Sequence, residues 1–412
     1  MRTLLHILSV TILLLINQTA RAQYMSPVVW HFGYSASIDF RSGQPVAATS
    51  RMNVTRACAT QTDAGGNLLF YTDGTHVWNR DNQLVPHSDT AAIPDWTSPM
   101  QGVNIVPVPG DTTRYYVFRI TPMGSLIPGG KKGDLYYTVI DMKLDNGRGD
   151  IVSGKKGILL DSLIGEQMAI IKTADCNYWM LAHSIDTGTF RAYRISAAGI
   201  SAPVISYSSS YPHDALHKEY STGEIIYSYK RNVLYTSMQK GGSFHMYVER
   251  HNFNPATGIV SNAEQLSESN LCPHLALSPN EDLLYASGVL FIGALFHGAV
   301  FQYDVSLPTA QDIAASRNRI FYDPVMDIGD IALAPDKKLY ITSTSHNDFL
   351  STIENPDMKG AACNFIPNSF RLHPFTTATS GLPSPIHHPW AANSTTVSDT
   401  TVCFADSITL SA

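Results

Sequence analysis

Fifteen histidines and five cysteines are the residues of this 412-residue sequence best suited to metal or nucleophilic chemistry. Their spacing argues for neither. His387 and His388 are adjacent and followed by Pro389. Neighbours on a strand point to opposite faces, so the pair is a poor set of ligands for one ion. No His-Glu-x-x-His or His-x-His arrangement occurs. His183, His274 and His346 fall near the ends of strand-like stretches, where a ring lines a channel or a rim, and a structural or solvated ring is the ordinary reading of each. The run Asp141 to Asp150 (DMKLDNGRGD) has acids around glycines but lacks the calcium-loop spacing with its distant Glu, and reads as a turn. Its Arg148-Gly149-Asp150 tripeptide carries no weight in such a turn. Asp63, Asp73, Asp336 and Glu354 could be recruited as acids or bases, yet Asp at a turn first bonds its own backbone. There is no Gly-x-Ser-x-Gly elbow and no phosphate-cradling Gly loop. The sequence nominates no catalytic residue, no cofactor and no metal ligand, and it leaves the binding residues open.

The elements that would position any site are more legible. Ala57 to Asn79 reads as a strand, a polar turn with a Gly pair, a strand, a second turn and a third strand. The same strand–turn–strand unit recurs at Val103–Phe118, Gln167–Ala182, Glu224–Ser237, His274–Ser287 and Asp330–Ser343. The last two carry Ser278-Pro279-Asn280 and Ala334-Pro335-Asp336, turn signals between apolar strands. Central aromatics Phe70, Tyr116, Trp179, Tyr235, Tyr285 and Tyr340 recur at intervals of about 50 residues, the period of propeller blades. Further strands with period-two alternation lie at 134–142, 190–195, 244–249 and 299–305. The expected fold is all-β, a β-propeller of seven blades, with six as the alternative. The seventh blade is expected to draw strands from both chain ends, with the segment from Trp30 to Phe40 pairing against strands beyond Phe375, so that no sheet edge is left open.

A formal net charge of −6 without basic runs gives no ground for nucleic-acid binding. Residues 1–22 read as a signal peptide: Arg2, an apolar run from Leu4 to Ile16 that is short for a bilayer, and Ala20-Arg21-Ala22 before Gln23. No other stretch is long and apolar enough to span a membrane. The propeller is assigned to 23–390, a polar linker to 391–400, and the opening of a truncated β-sandwich module to 401–412.

Trp30-His31-Phe32-Gly33 with Ile38-Asp39-Phe40, the run Gly66 to Asn79, Tyr137 to Met142 with Gly149-Asp150, Gly360 to Asn364 and Gly381-Leu382-Pro383 together resemble the N-terminal propellers of gliding-motility-associated, type IX-secreted surface proteins of Bacteroidetes. The resemblance spans about Trp30 to Pro389. It implies following immunoglobulin-like or PKD-like modules and a C-terminal sorting domain, export to the cell surface, and no agreed catalytic residues. The expected role is a non-enzymatic binding or scaffold module with an extracellular protein or glycan as partner; the alternative is a propeller hydrolase or lyase acting on an extracellular polysaccharide.

The cysteines are odd in number. Cys403, beyond the linker, is expected to pair past Ala412. Cys58, Cys176, Cys272 and Cys363 are read as buried free thiols, with two bridges among them as the alternative.

Overall fold

The computed structural model describes residues 27–88, 99–121, 133–185, 187–210, 222–239, 246–269, 271–292, 295–384 and 386–387. The segments read from sequence as signal peptide, linker and C-terminal module, and His388, lie outside them.

Seven antiparallel sheets follow one another along the chain. Blade I is β1 (Val29–Phe32), β2 (Tyr34–Asp39) and β3 (Val46–Asn53); blade II is β4 (Ala59–Thr62), β5 (Leu68–Thr72) and β6 (Val77–Asn79). Blade III is β7 (Val103–Pro107), β8 (Arg114–Ile120) and β9 (Leu135–Asp141), with β10 (Asp150–Ile151) and β11 (Ile158–Asp161) both on β9. Blade IV is β12 (Ile164–Lys172), β13 (Tyr178–Ser184), β14 (Thr189–Ser196) and β15 (Gly199–Tyr207). Blade V is β16 (Gly223–Ser228), β17 (Val233–Gln239), β18 (Met246–Phe253) and β19 (Val260–Ser269). Blade VI is β20 (Leu271–Leu277), β21 (Leu283–Ile292), β22 (Leu295–Asp304) and β23 (Asn318–Asp323). Blade VII is β24 (Ile328–Leu333), β25 (Leu339–Ser343), β26 (Phe349–Ile353) and β27 (Phe365–Arg371). First strands of successive blades lie side by side, which places them around the axis. The chain is a seven-bladed β-propeller.

Every repeat found in the sequence is the inner hairpin of a blade. The turns explain why. In each, one residue takes a left-handed backbone: Gly66, Gly110, Cys176, Asn232, Glu281 and Lys337. Asp or Ser side chains fix the same turns, as where Asp63 accepts from the Asn67 N–H at 2.8 Å and Ser278 from the Leu283 N–H at 3.0 Å. The period-two strands deliver apolar side chains to both faces of each sheet, and the buried clusters sit between neighbouring sheets. Val106, Phe118, Met168 and Met180 fill the III–IV interface, and Tyr235, Leu266, Leu284 and Tyr303 the V–VI interface.

Ring closure meets the expectation only in part: Tyr34 pairs with Thr377, beyond Phe375, but, among the described residues, no strand is shared. Blade I is built from the N-terminal segment alone. It meets blade VII through aromatic packing, with Trp30 and Phe40 both edge-on to Tyr340 at 6.0 and 5.7 Å between ring centres. Apolar packing between whole sheets removes the need for a shared strand. Among the described residues the chain beyond β27 bridges blade I once, Tyr34 to Thr377. It then threads between blades II and VII. The Ser380 N–H donates to Thr55 O, Ser384 N–H to Cys58 O and Asp330 N–H to Ser380 O. Gly381 makes this passage possible, because a Cβ there would lie 2.1 Å from the Arg56 carbonyl oxygen. The segment ends as β28 (Ile386–His387), parallel to β12 of blade IV.

The cysteine expectation is corrected in part. Cys58 and Cys363 are buried free thiols, and burial pushes both pKa values up. Cys176 is disulfide-bonded. It stands at a turn tip, outside the core, where a thiol can reach another segment. Its partner is Cys272 or Cys403, whose side chains lie outside the described residues. Thiol counting on the denatured, unreduced protein is expected to give three free thiols. Five, or one, would contradict this arrangement.

Candidate functional site

The first residue of four sequence repeats falls on the first strand of four successive blades: Gln167 on β12, Glu224 on β16, His274 on β20 and Asp330 on β24. All four are buried. Each stands on the first strand of its blade, and the last three converge. His274 Nδ1 lies 2.7 Å from Glu224 Oε1 and 3.5 Å from Asp330 Oδ1. The other oxygen of each carboxylate is held by the backbone: Glu224 Oε2 accepts from the Leu275 N–H at 2.8 Å and Asp330 Oδ2 from the Leu382 N–H at 2.7 Å.

Charge is crowded here. Burial and the neighbouring Glu224 charge push the Asp330 carboxyl up to about 7, against the pull of His274. Burial works against a charged imidazole at His274, but Glu224 and Asp330 outweigh it and raise its pKa. Such a group can store a proton at neutral pH. It can also take a cation: one donor atom from each of Glu224, His274 and Asp330 lies within 4.8 Å of the others.

Around this cluster the protein occupies its own axis. Gln101 reaches across to blade V, donating to Ile225 O at 3.1 Å and accepting from the Ile225 N–H at 2.9 Å. Gln167 donates to Ser237 O at 2.7 Å. Glu166 Oε2 accepts from the Met100 N–H, with Arg56 Nη1 3.9 Å away.

A second feature lies between blades II and III. A groove of about 230 Å³ is lined by Arg119, Tyr136, Tyr137, Lys156, Thr72 and Thr138, among others. Arg119, on β8 opposite Tyr136 of β9, makes no hydrogen bond or ion pair among the described residues. Its stem passes close over Gly74, where a Cβ would sit 3.3 Å from Arg119 Cγ. Burial lowers its pKa, opposed only by the more distant charge of Asp73 and by Tyr136. Asp73 is engaged in its own turn, accepting from the Thr75 and His76 N–H groups.

Most residues weighed from sequence take the ordinary roles. Asp63 and Asp336 bond turn amides, Glu354 pairs with Lys338, and Asp141 accepts from the Lys143 N–H and pairs with Arg114. His183 is buried against Phe190 and His346 is exposed. The side chain of His387 is outside the described residues. His274 alone of the weighed histidines joins a cluster. Sequence reading passed over Glu224, Asp330 and Arg119; the signal for the first two was their shared place at the head of aligned repeats.

The chain matches no protein-family model, and no curated protein matches its sequence. Solved propellers are similar in fold. A proposed 6-phosphogluconolactonase from Bacteroides fragilis superposes with a TM-score of 0.44 at 10% identity, over 87% of this chain and 97% of that one. An oligogalacturonate lyase in complex with manganese gives 0.41 at 13%, over 76% and 79%. A glucose dehydrogenase gives 0.39 at 13%, over 72% and 95%. Overlaps of this degree assign no activity to this chain.

Proposed function

We propose that the chain is an exported binding propeller that holds an acidic saccharide in the groove between blades II and III. The observation that carries this reading is the half-buried Arg119 guanidinium, which forms no ion pair among the described residues. A desolvated, unpaired cation is costly to keep, and a carboxylate or sulfate on a ligand would satisfy it through charge-assisted, bidentate hydrogen bonds. The tyrosines and threonine hydroxyls around it suit a sugar ring. The groove is smaller than a typical drug-sized pocket, which fits one acidic unit of a longer glycan. Export through residues 1–22, and membership of the gliding-associated, type IX-secreted surface proteins, belong to this proposal on the sequence resemblance.

Calorimetric titration of the mature chain with polygalacturonate and sulfated oligosaccharides, beside neutral glucans, is the test. Binding confined to the acidic sugars is expected, and Arg119→Ala should weaken it roughly 10- to 100-fold, the loss of about 1.5–3 kcal/mol from a charged hydrogen bond. Equal binding by Arg119→Ala, or no binding to any acidic glycan, rejects the proposal.

The alternative, a hydrolase or lyase for an extracellular polysaccharide, is favoured by one observation: perturbed acid and imidazole groups gathered near the axis. It requires reducing ends or unsaturated uronates to appear from the same glycans and to vanish in Glu224→Gln.

A further inference from the structure

We propose that Glu224, His274 and Asp330 form a site for one divalent cation of the Zn²⁺ or Mn²⁺ class, joining blades V, VI and VII at the axis. The site is separate from the Arg119 groove and does not depend on it.

Three features of the geometry point there. The donors come from one repeat position of three neighbouring blades, so each arrives on a rigid inner strand. Their spacing is close to that of a coordination sphere. With metal–ligand bonds of about 2.0–2.2 Å, donors around a tetrahedral ion stand roughly 3.3 Å apart; here His274 Nδ1 has its neighbours at 2.7 and 3.5 Å. Movement of the Glu224 carboxylate by a fraction of an ångström would admit the ion between them. Finally, each carboxylate is oriented from behind. The Leu275 N–H holds Glu224 Oε2, and the Leu382 and Ile331 N–H groups hold Asp330 Oδ2 and Oδ1, so that Oε1 and Oδ1 converge on the imidazole nitrogen, Oδ1 with a lone pair to spare. Backbone donors behind the ligating atoms are the usual support of a metal centre.

The formal charge agrees. With both carboxylates ionised, the two carboxylates and one imidazole, all buried, leave the group negative. Arg56 acts on His274 only weakly and is directed to Glu166. A divalent ion offsets the charge. The mixed oxygen and nitrogen donors suit Zn²⁺ or Mn²⁺ rather than the all-oxygen preference of Ca²⁺. Three protein donors leave at least one position for water. Because Asp330 also receives the Leu382 N–H, the ion would tighten the segment 378–384 onto blade VII.

The experiment uses the mature chain stripped with a chelator and titrated with ZnCl₂ and with MnCl₂, followed by calorimetry and thermal melting. One equivalent of at least one ion is expected to bind and to raise the melting temperature. Glu224→Gln and Asp330→Asn keep the side-chain shape and should weaken binding at least about 100-fold, while their melts in chelator show that the fold survives. His274→Gln serves as a third, independent variant where either amide fails to fold. Absence of stoichiometric binding in the folded wild type overturns the site. So does unchanged binding in the folded variants, which would put the ion on other histidines.

Discussion

Acidification is expected to lower the stability of the wild-type chain relative to a His31→Phe variant by about 3 kcal/mol between about pH 7 and about pH 4. His31 lies on β1, buried, with its ring edge-on to Tyr71 at 4.1 Å between centres. Neither ring nitrogen has a hydrogen-bond partner among the described residues. Burial lowers its pKa from 6.5 to about 3, with only weaker opposition from the Trp30 backbone and Asp39. The folded chain therefore keeps the ring neutral while the unfolded chain protonates it below about 6.5. Stability from this residue is full above that value and is lost as pH falls toward 3. Comparison with His31→Phe, which keeps a flat ring and cannot titrate, cancels the groups that do not interact with His31, leaving only the weak coupling to Asp39. The carboxylates with lowered pKa, such as Asp161 and Asp282, lose their contribution only at lower pH and do so equally in both proteins. Urea midpoints measured across the range read the result directly. Parallel curves for the two proteins would mean that His31 is hydrated or hydrogen-bonded in solution and not sealed between blades I and II.

The fold was legible in the sequence because each inner hairpin is specified twice. Ser278-Pro279-Asn280 and Ala334-Pro335-Asp336 mark turns, and the flanking apolar residues alternate at the period of a strand. Turn chemistry is local, so it survives without knowledge of neighbours. Closure is not local. The alternation in Trp30 to Phe40 serves equally for a strand shared with the last blade and for a separate sheet packed against it. What decides is whether Trp30 and Phe40 reach Tyr340, and that depends on residues some 300 positions away. The passage of Ser380 to Ser384 between blades II and VII was equally hidden. Gly381-Leu382-Pro383 looks like a loop, and its meaning comes from the Arg56 carbonyl pressed against Gly381.

The sites divide in the same way. Glu224, His274 and Asp330 stood at the head of three aligned repeats, so their common position was visible. Their convergence was not, because equal repeat positions approach one another only once the blade count and the axis are known. Arg119 offered no signal at all. An arginine on an alternating strand is ordinarily exposed or paired, and its want of an ion pair among the described residues appears only in the folded chain, where Gly74 of the adjacent blade lies beneath its stem. Chemistry set by what a side chain fails to meet is the part of a site that a single sequence conveys least.

Tyr340→Ala is expected to destabilise the chain by about 3–5 kcal/mol, the range for truncating a fully buried large side chain. Tyr340 is 1% exposed. Its ring touches Trp30 and Phe40 of blade I and Phe370 of its own blade, all edge-on, and its hydroxyl donates to Asp336 Oδ2 at 2.8 Å. Truncation removes the common partner of an aromatic cluster and leaves a cavity between two sheets that no shared strand holds together. Because this interface closes mainly by packing, with the Tyr34–Thr377 bridge beside it, the loss should concentrate there. Hydrogen exchange in β1 and β2 should rise more than in blade V, on the far side of the ring. Tyr340→Phe separates the two contributions: it keeps the ring and forfeits one hydrogen bond, for a loss of about 1 kcal/mol. If instead both variants lose the same amount, the hydroxyl bond to Asp336 is what matters and closure by aromatic packing is wrong. If neither melts earlier than the wild type, the junction of blades I and VII is held by the Tyr34–Thr377 bridge and the segment beyond it.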